Sequence, residues 1–300
     1  MGARSWHRED TPPVPRLFDL IVMVDWSAAS RPGPPRPSKD QIWIAWGTRS
    51  RRPKPHYCRT RHEACEYLLD LLAACRGSAL VGFDFPNAYP AGSGLGGGRA
   101  LAASLAASIE DGPDNGNNRF EVARALNRRL GRPPGPFWMC PAALADEALT
   151  LKRPAERERG FSQFRIVERR LRARRIFPHS LWQLGGAGSV GGQTLMGMPV
   201  VHRLLAAPRL AERSRLWPFE TEWDARLEGI VHAEVWPSLF PCDDQPYKIK
   251  DARQVAAVRD ALLAADRKGS LRACFARPAD LSERESRICL RDEGWILGVA

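Results

Sequence analysis

Short apolar runs, each stopped by an acid, a glycine or a proline, mark out the chain. Phe18 to Asp25 (FDLIVMVD) is continuous rather than alternating, the pattern of a strand covered on both faces. Gln41 to Gly47 predicts a second strand, beyond the proline-rich loop from Arg31 to Lys39, and His56 to Arg59 a short third. Between Arg61 and Cys75 the period changes: Ala64, Leu68, Leu71, Leu72 and Cys75 share one helical face, and Gly77 ends the helix. Ala79 to Phe85 (ALVGFDF) returns to strand and closes at Pro86. Strand, strand, strand, helix, strand describes a mixed sheet with helices packed on it.

From Asn87 to Glu228 regularity is lost. Glycines cluster at Gly92 to Gly98, helical spacing shows from Phe120 to Leu130, and arginines dominate from Lys152 onward. We read residues 87–228 as a large insertion or cap between the fourth and fifth core strands. Gly229 to Trp236 (GIVHAEVW) is that fifth strand, stopped by Pro237. Asp251 to Asp266 is a helix with Ala252, Val255, Val258, Leu262 and Leu263 on its apolar face, and the apolar end, Glu293 to Ala300, docks on the core. The expected organisation is a loose tail (1–16), a core in two parts (17–86 and 229–300) and the insertion between them.

Composition changes this picture little. The hydrophobic fraction of 44% and charged fraction of 26% are ordinary for a globular protein. No apolar run nears the ~20 residues that cross a bilayer, and Met1 to Arg16 has neither a signal-peptide core nor a myristoylation pattern. Seven cysteines without a C-x-x-C pair argue against a disulfide framework or thiolate zinc site, and a cytoplasmic location is expected. The net charge of +11 suits a polyanionic partner, nucleic acid or nucleotide, although an arginine-, alanine- and proline-rich genome would also produce it. The basic residues gather between Lys152 and Arg175, as a solvated helix face or a phosphate-tracking surface.

Candidate chemistry lies where strands end. Asp25, Asp84 and Glu234 each sit near the C-terminal end of a separate strand, the position at which open α/β sheets bind ligands. A carboxylate there is costly without a partner, and a shared cation is the simplest way to hold several together. Asp251, at the start of the last long helix, is a fourth member. Mg²⁺ or Mn²⁺ takes oxygen ligands and keeps waters, and two such ions about 3.5–4 Å apart suit phosphodiester cleavage. Each acid also has a structural reading: Asp25 accepting from the Ser27 to Ser30 turn, Asp84 as a turn residue, Glu234 paired with an arginine, Asp251 as a helix N-cap.

Four segments in order, VDWSAAS from Val24, GFDFP from Gly82, EVWPSL from Glu234 and KDARQV from Lys250, resemble a bacterial family of predicted nucleases with an RNase H-like fold. Ser180 to Gly192 (SLWQLGGAGSVGG) and Trp217-Pro218-Phe219 resemble one branch of it, sometimes labelled with molybdopterin-guanine dinucleotide synthesis. The resemblance spans Phe18 to Val299. It implies an RNase H-like mixed sheet flanked by helices, with Asp25, Asp84, Glu234 and Asp251 in the places of the acidic, metal-binding cluster. Asp243 and Asp244 compete with Asp251. Fold does not determine function, so three classes stay open: a metal-dependent phosphodiester hydrolase, a non-hydrolytic nucleotide- or cofactor-binding protein, and a degenerate scaffold.

Other motifs are weaker. Gly186 to Gly191 (GAGSVG) matches the dinucleotide fingerprint in letters but lacks a buried strand before it; backbone N–H groups near Ser189 and Gln193 remain a phosphate-binding candidate. Trp26 stands where an actin-like phosphate turn carries glycine, and no Walker loop is present. His232 shares a strand face with Glu234 and reads as structural. Most of the ten tryptophans read as packing rather than base-stacking platforms.

Overall fold

A computed structural model describes residues 15–131, 134–155 and 162–300. The expected tail up to residue 14, and residues 156–161 of the arginine run, lie outside the described residues.

The sheet has six strands: β1 (Leu20–Asp25), β2 (Ile42–Gly47), β3 (His56–Cys58), β4 (Ala79–Phe83), β5 (Ser214–Leu216) and β6 (Ile230–Glu234). Their order is β3-β2-β1-β4-β6-β5. β2 runs antiparallel to β1 and β3, while β1, β4, β6 and β5 are parallel. The fold is therefore α/β with a mixed sheet. Registers Val24↔Phe83 and Phe83↔Glu234 bring the C-terminal ends of the three central strands level.

The strand ends agree with the apolar runs because the pleat feeds two cores. Leu20, Val22 and Val24 of β1 enter one cluster, while Ile21 and Met23 enter the other. The first face is covered by α1 (Arg61–Ala74), α2 (Gly98–Ala106), α3 (Arg119–Arg129) and, after the short α4 (Ile166–Ala173), by α5 (Val190–Ala206). The second is covered by α4, α6 (Lys250–Arg267) and α7 (Glu283–Ile288). α1 starts as capping predicts: the Thr60 side chain accepts from the Glu63 N–H.

Segment 87–228 is woven into this frame. Leu195, Met198, Val201, Leu204 and Leu205 of α5 belong to the first core, and β5 forms the sheet edge beside β6. Its irregular sequence hides this because α5 carries four non-periodic small residues (Gly191, Gly192, Gly197 and Pro199) that break the apolar spacing. None of the seven cysteines forms a disulfide. Among the described residues no helix is long and apolar enough to cross a membrane.

Candidate active site

The level ends of β1, β4 and β6 open into a cleft of about 770 Å³. All six sequence-predicted residues line it: Asp25, Asp84, Glu234, Asp251, Ser189 and Gln193. They do not play equal parts.

Asp25 and Asp84 form the floor. Asp25 is the last residue of β1, and Asp84 follows β4 directly, so parallel pairing sets them side by side. Their carboxyls act on each other's ionisation. Burial, then the Asp84 and Asp251 charges, holds the Asp25 carboxyl well above the usual range. Burial likewise lifts Asp84, to about 7, although the Trp26 N–H donates to Asp84 Oδ1 at 2.8 Å. Two acids this close titrate as a pair. The turn reading of each is thus incomplete: Asp84 does accept a turn N–H, yet the pair is left with more negative charge than its protein partners offset.

Asp251 lies beside them, 8% exposed. It is not the N-cap of α6, which is Ile249; the Asp251 carboxylate instead accepts from the Asp40 N–H at 2.6 Å. It thereby ties the loop before β2 to the helix. Burial raises this carboxyl above its ordinary value, offset in part by that hydrogen bond. Asp243 and Asp244 do not line the cleft.

Glu234 takes the other course. Its Oε1 and Oε2 receive Arg165 Nη2 and Nη1 at 2.6 and 2.8 Å, and the Asn87 N–H donates to Oε2 at 3.2 Å. The arginine reading therefore describes Glu234. Burial raises its carboxyl, while the Arg165 charge pulls the other way. Arg165 is itself fully buried and also pairs with Glu168. Burial works against its charge, but the two glutamates more than compensate. Glu293 completes the cluster, accepting the Ile166 N–H at 2.6 Å and the Ala91 N–H at 2.7 Å.

The glycine loop forms the opposite wall. Gly186 and Gly188 have φ of +69° and +75°, and a Cβ on Gly191 would sit 2.6 Å from the Leu181 carbonyl oxygen. Those demands account for the glycines without a dinucleotide, and the preceding residues form only an isolated bridge, not a sheet strand. Ser189 is the N-cap of α5 but its side chain makes no capping bond. The Gln193 side chain donates to the Trp26 carbonyl at 2.7 Å, bracing the Asp25 turn rather than reaching for a ligand. His232 is packed in the core beside Phe83, its ring held neutral by burial, with its pKa pushed down to about 3.

Arg165 is the residue that sequence reasoning misplaced. It belongs to the arginine run, yet it is the one with apolar neighbours (Phe164, Ile166, Val167) and a glutamate three residues on, a readable sign of burial.

The lining carries six carboxylates (Asp25, Asp40, Asp84, Glu168, Glu234, Asp251) against two lysines (Lys39, Lys250). In a chain of net charge +11 this is a local reversal of sign, and it suits a cation. Oxygens on one Mg²⁺ at about 2.1 Å lie within roughly 4.2 Å of each other. Among the described residues the only metal-capable trio within 4.8 Å is His56, Cys58 and Glu63. That trio is spoken for: burial holds the Cys58 thiol protonated, and Glu63 accepts from the Arg59 N–H at 2.8 Å. Asp25 and Asp84 make a two-carboxylate set that Asp251 flanks more loosely, which fits an ion that retains several waters.

Comparison with known proteins finds no matching family model, no matching curated protein and no matching solved structure.

Proposed function

We propose that the chain is a metal-dependent phosphodiester hydrolase of RNase H-like type, acting on nucleic acid or a nucleotide. The observation that carries the reading is the Asp25–Asp84 pair, two carboxyls set side by side at the ends of adjacent parallel strands and lining an acidic cleft. The RNase H-like assignment is supported by the strand order β3-β2-β1-β4-β6 with β2 antiparallel, and by acids at the ends of β1 and β4.

Asp25 and Asp84 would hold Mg²⁺ or Mn²⁺, with Asp251 beside them. A bound divalent ion supplies Lewis-acid activation of a phosphoryl oxygen and lowers the pKa of a water. The chain's own contribution is to keep two carboxylates close and short of internal partners, so that a cation takes the place of a proton. Trp26 N–H and Gln193 fix the turn that carries Asp25, and the Asp251–Asp40 bond fixes the far side. Glu234, bound to Arg165, is a positioning residue in this reading, anchoring β6 to α4.

The test is calorimetric titration with Mn²⁺ of the wild type, Asp25→Asn and Asp84→Asn. Micromolar binding lost in both variants supports the reading; a wild type that binds no Mn²⁺, with or without an oligonucleotide present, removes it.

A second reading has one observation behind it. The N-terminus of α5 opens into the same cleft with the Ser189 side chain uncapped, a place for a phosphate group. It describes a non-hydrolytic nucleotide- or cofactor-binding protein, of the kind linked to molybdopterin-guanine dinucleotide synthesis. Thermal stabilisation by nucleotides in EDTA, lost in Ser189→Pro but not in Asp25→Asn, distinguishes it. A catalytically degenerate scaffold would show neither response.

A further inference from the structure

Among the described residues, Phe177 is one of two large apolar side chains left exposed, at 65%. Its position is not incidental. Beyond α4 the chain turns at Arg175, whose φ is +62°, passes Phe177, and then lines the cleft with Pro178 and His179. The His179 ring packs on Gly188 of the glycine loop, where a Cβ would lie 2.4 Å from it. Phe177 therefore stands at the rim of the acidic cleft.

The arginines around it are arranged, not merely numerous. The Arg172 guanidinium lies 4.6 Å from the Phe164 ring centroid and 5.3 Å from that of Phe177, steadying one side of the exposed ring. Of the five arginines between 169 and 175, only Arg170 forms an ion pair with a described residue, Asp280. Arg172, Arg174 and Arg175 are exposed. Asp280 also feels the Arg174 charge, but among the described residues no ion pair holds Arg172, Arg174 or Arg175. Exposed cations next to an aromatic face open to solvent are the combination that single-stranded nucleic-acid sites use: phosphates meet the cations and a base stacks on the ring.

We infer that Arg172, Arg174, Arg175 and Phe177 form a landing strip for single-stranded nucleic acid, one base stacking on Phe177 as the strand runs past His179 into the cleft. This rests on the hydrolase reading and names its substrate class. A duplex is disfavoured because its bases are already stacked on each other and present no face to Phe177. A membrane surface is disfavoured because insertion needs a patch of apolar side chains, whereas the rim exposes a single ring, Phe177.

The experiment measures anisotropy of a labelled oligonucleotide and of the same sequence as a duplex, in EDTA, alongside Mn²⁺ calorimetry. The single strand should bind more tightly than the duplex. Phe177→Ala should weaken it about 5- to 100-fold and leave Mn²⁺ binding unchanged, while Phe177→Trp retains it. Replacing Arg174 and Arg175 together by Gln should flatten the salt dependence by about 1.4 in slope, roughly 0.7 for each lost phosphate contact. Phe177→Ala binding within twofold of wild type overturns the strip, as does equal affinity for the duplex, or binding to anionic vesicles without binding to the oligonucleotide. A wild type that binds the single strand in this Phe177-dependent way but not Mn²⁺ keeps the strip and loses the cation site; the reverse result removes the strip alone.

Discussion

Replacing Asp84 by Asn should make the metal-free protein more stable at neutral pH while abolishing the Mn²⁺ binding proposed for the Asp25–Asp84 pair. Asparagine keeps the shape and an oxygen to accept the Trp26 N–H, and its amide can donate to Asp25. What it removes is an ionisable group whose pKa is lifted from 3.8 to about 7, mainly by burial. The unfolded chain releases this proton near 3.8 and the folded chain near 7, so wild-type stability falls as pH rises through that window and is level above it. Roughly three pH units at about 1.4 kcal/mol each sets an upper figure of ~4 kcal/mol. The carboxyl is partly exposed to the cleft, and solvent screening reduces this to about 2 kcal/mol. Thermal unfolding in EDTA at pH 4 and pH 8 reads it: Asp84→Asn should gain a few degrees over wild type at pH 8 and little or nothing at pH 4. Adding Mn²⁺ should then raise the wild-type midpoint and leave the variant where it was. Equal destabilisation of the variant at both pH values would refute the reasoning, because the carboxylate would then be a structural acceptor and not a strained ligand.

Two further outcomes test the frame around the site. Arg165→Ala leaves Glu168 and Glu234 buried without their cation, so urea unfolding should show a loss of about 3–5 kcal/mol, far beyond an exposed arginine such as Arg172. Gly197→Ala places a Cβ 2.3 Å from the Phe85 ring, next to Asp84 and Pro86; the overpacking should cost about 1–3 kcal/mol and weaken Mn²⁺ binding by moving the Asp84 turn, and unchanged Mn²⁺ affinity would separate the ring from the site.

Much of this was legible in the chain because it is local. Continuous apolar runs ending in Asp25, Asp84 and Glu234 announce strands covered on both faces and place each acid near the C-terminal end of its own strand; the parallel pairing that levels those ends is a property of the sheet. The apolar face from Ala252 to Leu263 announces α6 in the same way. α5 and β5 were not legible: the α5 glycines answer to the Leu181 carbonyl and the Phe85 ring, neighbours distant in sequence, and a three-residue edge strand has too short a pattern to read.

The sequence by itself pointed to Asp25, Asp84, Glu234 and Asp251; only the tertiary structure added Asp40 and Glu168 to the cleft and decided which acids have an internal cation. Nothing near Glu234 in the chain distinguishes it from Asp25, yet the fold delivers Arg165, 69 positions earlier, to its carboxylate and, among the described residues, pairs no arginine or lysine with Asp25. A strand's period is set by neighbouring residues. The partner of a buried charge is set by chain segments that meet only after folding, and it is that meeting which gives Glu234 its arginine and leaves the Asp25 and Asp84 carboxyls raised above their ordinary range.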